Sequence, residues 1–206
     1  MTKHSHDNNV EHGDGDHSRA HDRHAIVSSD EDLLILVNDN DEQIGEADKL
    51  VCHDGDGLLH RAFSVLIFNS QGEVLLQKRA DQKRLWGGYW SNSCCSHPRI
   101  GETMDEASQR RLWQELGLRA ELVFLYKFQY HADFGEAGAE HELCWVYIGK
   151  SDTPPSTNAN EVSECRYVAP SDLEQEFIDH PEQFTPWFKL EWERIKSAHA
   201  QALAAL

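Results

Sequence analysis

The most constraining feature of this chain is one bounded helix set among strand patterns. Residues 102–116 carry apolar positions at Met104, Ala107, Leu112 and Leu116, with Thr103 as an N-cap oxygen and Gly117 as a stop. An apolar stripe must be buried against another element, and the flanking segments supply strands. Residues 33–37 read as a buried strand closed by the turn Asn38-Asp39-Asn40-Asp41. Residues 62–69 and 73–78, joined through Ser70-Gln71-Gly72, read as a hairpin. After the helix, strands are predicted over 120–130, 142–148 and 164–169, then a short helix over 171–177 and a longer one over 186–206. Strands with inserted helices in this order predict a single α+β domain with a largely buried mixed sheet.

Residues 1–30 stand apart from the domain expected over 31–206. They hold six of the thirteen histidines and no apolar periodicity, so a disordered leader is expected; a metal-scavenging tail is the alternative. The net charge is −17, which argues against general nucleic-acid binding. Against that acidity, residues 78–111 carry seven bases and four acids. Such a stretch suits a small anion, although a solvated charged face would look the same. No apolar run approaches the roughly 20 residues that cross a bilayer, and the polar N-terminus does not read as a secretory signal. The five cysteines, Cys52, Cys94, Cys95, Cys144 and Cys165, show no disulfide or zinc-knuckle spacing. Free thiols in the cytoplasm are the expectation.

Three segments carry candidate chemistry. Asn92-Ser93-Cys94-Cys95-Ser96-His97-Pro98 places an imidazole two residues beyond a thiol, on the same side if the piece is extended; a buried structural cysteine is the simpler reading of that thiol alone. His53 and His60 lie seven apart in a Gly-rich loop. Glu140 and Glu142 share one face of a strand by its period of two. Together His53, His60, His97, Glu140 and Glu142 make a donor set for a transition-metal dication, unless the glutamates are solvated edge residues.

With the helix, these segments resemble a known family. Glu102, Arg110, Glu115 and Gly117 match the Nudix box, a loop–helix–loop that presents glutamates to a cation bound to diphosphate. Ser96 stands where the box has Gly, Arg111 replaces one Glu and Gln114 another, and these losses count against diphosphate hydrolysis. Asn-Ser-x-Cys-x-His-Pro, the two upstream histidines and Glu-x-Glu downstream are similar to type 1 isopentenyl-diphosphate isomerases, over roughly residues 33–192. The resemblance implies a Nudix-like mixed sheet sandwiched by helices. It implies Cys95 and Glu142 as catalytic, with Tyr130 assisting, and a Mn, Zn, Fe or Mg dication on the three histidines and two glutamates. Glu115 would hold a magnesium ion on the substrate diphosphate, and Arg79, Lys83, Arg111 and Lys49 would contact its oxygens. Trp187 would shelter a carbocation, with Trp86 a further wall. The partners implied are small isoprenoid diphosphates, bound by a monomer without nucleic acid or membrane. A hydrolase would instead release phosphate and tolerate Cys95→Ala, and a metal-binding protein would take up metal without turnover.

Overall fold

The computed structural model describes residues 20–206 of the 206-residue chain. Nine strands form one mixed sheet: β1 (Leu33–Val37), β2 (Gln43–Asp48), β3 (His60–Phe68), β4 (Val74–Arg79), β5 (Trp90–Ser91), β6 (Cys94–Ser96), β7 (Leu122–Asp133), β8 (Ala139–Lys150) and β9 (Val162–Val168). The helices are α1 (Lys49–Cys52), α2 (Met104–Leu116), α3 (Pro170–Asp179), α4 (Pro186–Ala198) and α5 (Ala200–Ala204). The strand β3 is central, parallel to β8 from His60↔Glu142 to Phe68↔Lys150 and antiparallel to β6 at Ser64↔Cys95. Its run Ala-Phe-Ser-Val-Leu-Ile-Phe is buried throughout, as a strand covered on both faces requires.

The period of two sorts the side chains to two cores. On one face Phe63, Val65, Ile67, Leu75, Cys94 and Tyr147 pack against Ala107, Leu112 and Leu116 of α2. On the other Leu66, Leu76, Val146 and Ile148 pack against Trp187, Phe188, Trp192 and Ile195 of α4. The adjacent cysteines therefore part company. Cys94 is sealed beneath α2, while Cys95 faces the α4 side.

The helix α2 starts at Thr103, whose Oγ1 accepts from Glu106 N–H in a complete capping box, and stops at Gly117 with φ of 63°. The expected hairpin meets only at Phe68↔Val74 and then splays, because β3 takes β6 and β8 as neighbours while β4 takes β5 and β9. The predicted C-terminal helix breaks at His199, between α4 and α5. The edge strand β2 has no buried residue and so no hydrophobic signal to find.

Residues 20–30, within the expected leader, lie against the domain through polar contacts. Ala159 N–H donates to Arg23 O at 2.9 Å, Asn158 Nδ2 to Ala25 O at 2.8 Å and Arg111 Nη1 to Val27 O at 2.8 Å. Contacts of that kind leave no apolar periodicity. Residues 1–19, with the leader histidines His4, His6, His12 and His17, lie outside the described residues.

Candidate active site

At the mouth of the sheet's α4 side, β4, β6, β7 and β8 each send side chains into one cavity of about 340 Å³, within the roughly 300–1,000 Å³ usual for small-ligand pockets. Its wall includes His53, His97, Glu140, Glu142, Cys95, Tyr130 and Trp187, and at its other end Lys49, Arg79, Lys83, Arg111 and Glu161. Residues Ile26 to Asp30 complete the rim.

The five predicted ligands converge: one donor atom from each of His53, His60, His97, Glu140 and Glu142 lies within 4.8 Å of the others. His53 Nδ1 donates to Lys49 O and His60 Nδ1 donates to Leu58 O, each at 2.7 Å. A carbonyl only accepts, so both rings carry the Nδ1 proton and turn Nε2 inward; burial lowers the His53 imidazole but the neighbouring Glu140 carboxylate outweighs that and raises it. His60 Nε2 and His97 Nε2 face one another at 3.1 Å, and His97 Nε2 lies 3.1 Å from Glu142 Oε1. Glu140 Oε2 is buried 2.8 Å from His53 Nε2 but out of line for a hydrogen bond. Three imidazole nitrogens and two carboxylates crowded within 4.8 Å fit a divalent cation, with backbone carbonyls fixing His53 and His60 from behind. Burial and its neighbouring imidazoles hold His97 well below the usual range, and burial with the His53 charge holds His60 at about 4, so both are neutral donors.

Glu142 differs from its neighbour two residues back. Burial and the charge of Glu140 push its carboxyl well above the usual range, while Tyr130 O–H donates to its Oε2 at 2.7 Å. Burial also raises Glu140, but the charge on His53 overrides it and holds Glu140 at about 2. The two carboxylates on one strand face are thus pushed apart, Glu140 toward its ionised form and Glu142 toward its neutral one. Cys95 is pushed up to about 12 by burial, with the Arg79 guanidinium pulling the other way from 3.7 Å. Trp187 closes the wall beside Tyr130, its ring centroid 6.1 Å from the phenol ring. Its Nε1–H donates to Ser91 Oγ at 3.1 Å and Asn92 Oδ1 at 3.2 Å, which fixes the indole plane. Trp86 does not line the cavity; it backs Trp187 edge-on at 5.2 Å.

The Nudix-box residues occupy the basic end. Arg110 clamps Glu102 through two bonds of 2.6 and 2.8 Å, reaches His97 O at 3.4 Å and takes Gln114 Oε1 at 3.1 Å. Glu102 and Gln114 are therefore spent on holding the loop that carries His97. Glu115 is buried behind the wall and binds Arg111 Nη2 at 2.6 Å. Sequence reasoning missed Glu161, which joins Lys83 and, at 3.1 Å, Arg111. Its only signal was an acid before a strand, indistinguishable from a surface residue.

Comparison with known proteins agrees with this geometry. Residues 58–188 match the NUDIX domain family. The chain is similar to the Isopentenyl-diphosphate Delta-isomerase 1 of Photorhabdus laumondii subsp. laumondii, with 47% identity covering 82% of this chain and 98% of that protein. It is 43% identical to the Isopentenyl-diphosphate Delta-isomerase of Pectobacterium atrosepticum, covering 79% and 90%. In fold it resembles the crystal structure of DR0079 from Deinococcus radiodurans, with a TM-score of 0.60 and 24% identity over 72% of this chain and 90% of that one. The MutT protein of Methanosarcina mazei Go1 shares the fold at a TM-score of 0.55 and 21% identity, over 67% of this chain and 93% of that one.

Proposed function

Since the chain belongs to the NUDIX superfamily and, within it, to the type 1 isopentenyl-diphosphate isomerases, we propose that it interconverts isopentenyl and dimethylallyl diphosphate through a tertiary carbocation. One observation carries the mechanism: the Tyr130–Glu142 pair and Cys95 face the same cavity whose far end is lined by Lys49, Lys83 and Arg111. The diphosphate binds those cations with Arg79, which leaves the five-carbon tail against Trp187. Glu142, steadied by Tyr130, gives its proton to the terminal alkene carbon, and the pair of π electrons forms the new C–H bond. Positive charge then sits on the tertiary C3, facing the Trp187 ring, which stabilises it by roughly 1–2 kcal/mol in a dry site. Cys95 takes a proton from C2 once its thiol has been deprotonated, a form that burial disfavours and that Arg79 and the adjacent carbocation favour, and that C–H pair becomes the C2=C3 bond. The cycle ends with a carboxylate and a thiol, so one proton must return from Cys95 to Glu142 before the next turnover. In the reverse direction the roles exchange.

A divalent cation on His53, His60, His97, Glu140 and Glu142 would orient the Glu142 carboxyl and tune its acidity. We assign Mn, Zn, Fe or Mg to that site, and a magnesium ion on the diphosphate to Glu115, which lies beside the basic end. Hydrolysis is disfavoured because Arg111 and Gln114 stand where carboxylates would gather further cations. The reading includes a monomer acting in the cytoplasm without nucleic acid or membrane; five free thiols support the compartment, and among the described residues no helix is long and apolar enough to cross a membrane.

Proton NMR of isopentenyl diphosphate incubated with the protein and magnesium in deuterated water tests the reading, with Cys95→Ala in parallel. Deuterated dimethylallyl diphosphate from the wild type alone supports it. Released phosphate, or equal turnover by the variant, refutes it.

A further inference from the structure

The carboxylate of Glu161 has no part in the proton chemistry, yet it stands on the cavity wall among the cations. It is 5% exposed. Its backbone is pinned at both ends: Ala80 N–H donates to Glu161 O at 3.0 Å, and Glu161 N–H donates to Asn158 O at 3.0 Å. Its side chain is committed to Lys83 and to Arg111 Nη2, the latter at 3.1 Å. Glu115 accepts from the same Nη2 at 2.6 Å and from Nε at 3.1 Å, so two buried carboxylates share one guanidinium. Lys49, by contrast, binds Ser28 Oγ at 2.6 Å and has no carboxylate within ion-pair distance among the described residues. The basic end is therefore partly neutralised before any ligand arrives. A diphosphate that reaches Lys83 and Arg111 must approach nitrogens already occupied by Glu161, placing anion beside anion in a site shielded from solvent.

We propose that Glu161 makes diphosphate binding at this end conditional on a divalent cation, by setting a fixed negative charge that bare diphosphate meets and metal-bearing diphosphate offsets. The inference rests on the reading of Lys49, Lys83 and Arg111 as the diphosphate subsite. A residue that served only to hold Lys83 and Arg111 in place would have no need to face the cavity, and its loss would weaken binding with or without metal. Glu161 is ionised in this setting: burial raises its carboxyl, and the charges of Arg111 and Lys83 outweigh that and hold it below the usual range.

Calorimetric titration of inorganic pyrophosphate into wild type and Glu161→Gln, with magnesium and in magnesium-free buffer, separates the two. In the wild type, omitting magnesium weakens binding by about tenfold or more, a coupling in the usual range for linked sites. In Glu161→Gln that ratio shrinks by about tenfold, because metal-free pyrophosphate binds more tightly. Glu161→Asp, which keeps the charge, keeps the wild-type ratio. Equal weakening of the amide variant in both buffers, or an unchanged ratio, overturns the inference and leaves the subsite reading intact. Wild type that fails to bind pyrophosphate even with magnesium overturns the subsite reading itself. Thermal melts accompany each titration, and Glu161→Ala, which retains both backbone hydrogen bonds, replaces the amide variant if that one melts early.

Discussion

Replacing Gly138 by alanine should loosen the metal-ligand cluster without touching a ligand. Gly138 adopts φ of 120° and ψ of −162°, a region open essentially to glycine alone. A Cβ there would lie 2.0 Å from His53 O, about 1.4 Å or more inside ordinary contact. That carbonyl is not free to retreat, because it accepts Ala139 N–H at 3.1 Å at the start of β8. The dihedral strain costs about 1–3 kcal/mol, and relieving the overlap a further 1–3 kcal/mol. Taken at about 4 kcal/mol, and at roughly 2–4 °C per kcal/mol for a domain of this size, the expected loss is on the order of 10 °C in Tm. The backbone that moves carries His53 and leads through Ala139 into Glu140, so affinity for a divalent cation should fall together with Tm. Differential scanning calorimetry and titration with Co²⁺, followed by its visible absorption, read the two effects. A variant with wild-type Tm and wild-type Co²⁺ affinity would refute the claim that this contact fixes the cluster.

Four further outcomes follow from the geometry. Glu142→Gln keeps the Tyr130 contact but has no proton to give, so kcat should fall by about a thousandfold with a small change in KM, measured by steady-state kinetics. Trp187→Leu keeps an apolar wall but removes the ring face, so kcat should drop about 5- to 30-fold while KM stays near wild type. Arg110→Met breaks the clamp on Glu102 and the reach to His97 O, and should cost about 1–3 kcal/mol in urea unfolding together with metal affinity; a loss of neither would contradict the positioning role. Glu191, buried in the α4 core, is raised to about 8 by burial against an ordinary value of 4.5, so the folded state holds a proton there that the unfolded state releases. Its contribution is full below pH 4.5 and is lost as pH rises toward and through about 8, on the order of 5 kcal/mol in all. Glu191→Gln should therefore flatten the alkaline fall in Tm, and an equally steep fall in the variant would contradict the assignment.

Legibility in the sequence followed the physical origin of each feature. The helix α2 was readable to within two residues because cap, stripe and stop are all local, and the capping box at Thr103 and Glu106 needs no distant partner. Strands β1, β3 and β8 were readable from apolar runs, since burial on at least one face imposes one. The polar edge β2 was not, because it pairs with its neighbour β1 without burying a side chain, and the strap of residues 20–30 was not, because it is held by hydrogen bonds to groups far away in sequence. The same division runs through the site. His53, His60, His97, Glu140 and Glu142 stood out because their spacings match a family's motifs, and the fold then brought all five within 4.8 Å. Glu161 belonged to no motif, and only the register of β9 on β4, with Arg79 opposite Val162, brings it to Lys83 and Arg111.

The division of labour between Cys94 and Cys95 shows how the sheet itself imposes the chemistry. One residue of slip in β6 against β3 would exchange the two thiols, because successive side chains leave a strand on opposite faces. The pairing Ser64↔Cys95 prevents that slip, and two buried contacts lock it: Ile67 N–H of β3 donates to Ser93 Oγ at 2.8 Å and Ser93 Oγ donates to Leu75 O at 2.6 Å, while Asn92 Nδ2 donates within the segment to Cys94 O at 2.8 Å. Asn92 also receives the Trp187 indole N–H at 3.2 Å. The residues that fix which thiol enters the cavity thus also fix the aromatic face opposite it. The cavity thiol of Cys95, the indole wall and the imidazole of His97 are held by one short stretch of backbone, residues 91–97. That stretch has to be buried and fully hydrogen-bonded to work, which is why Ser91, Asn92 and Ser93 are polar residues with no measurable exposure.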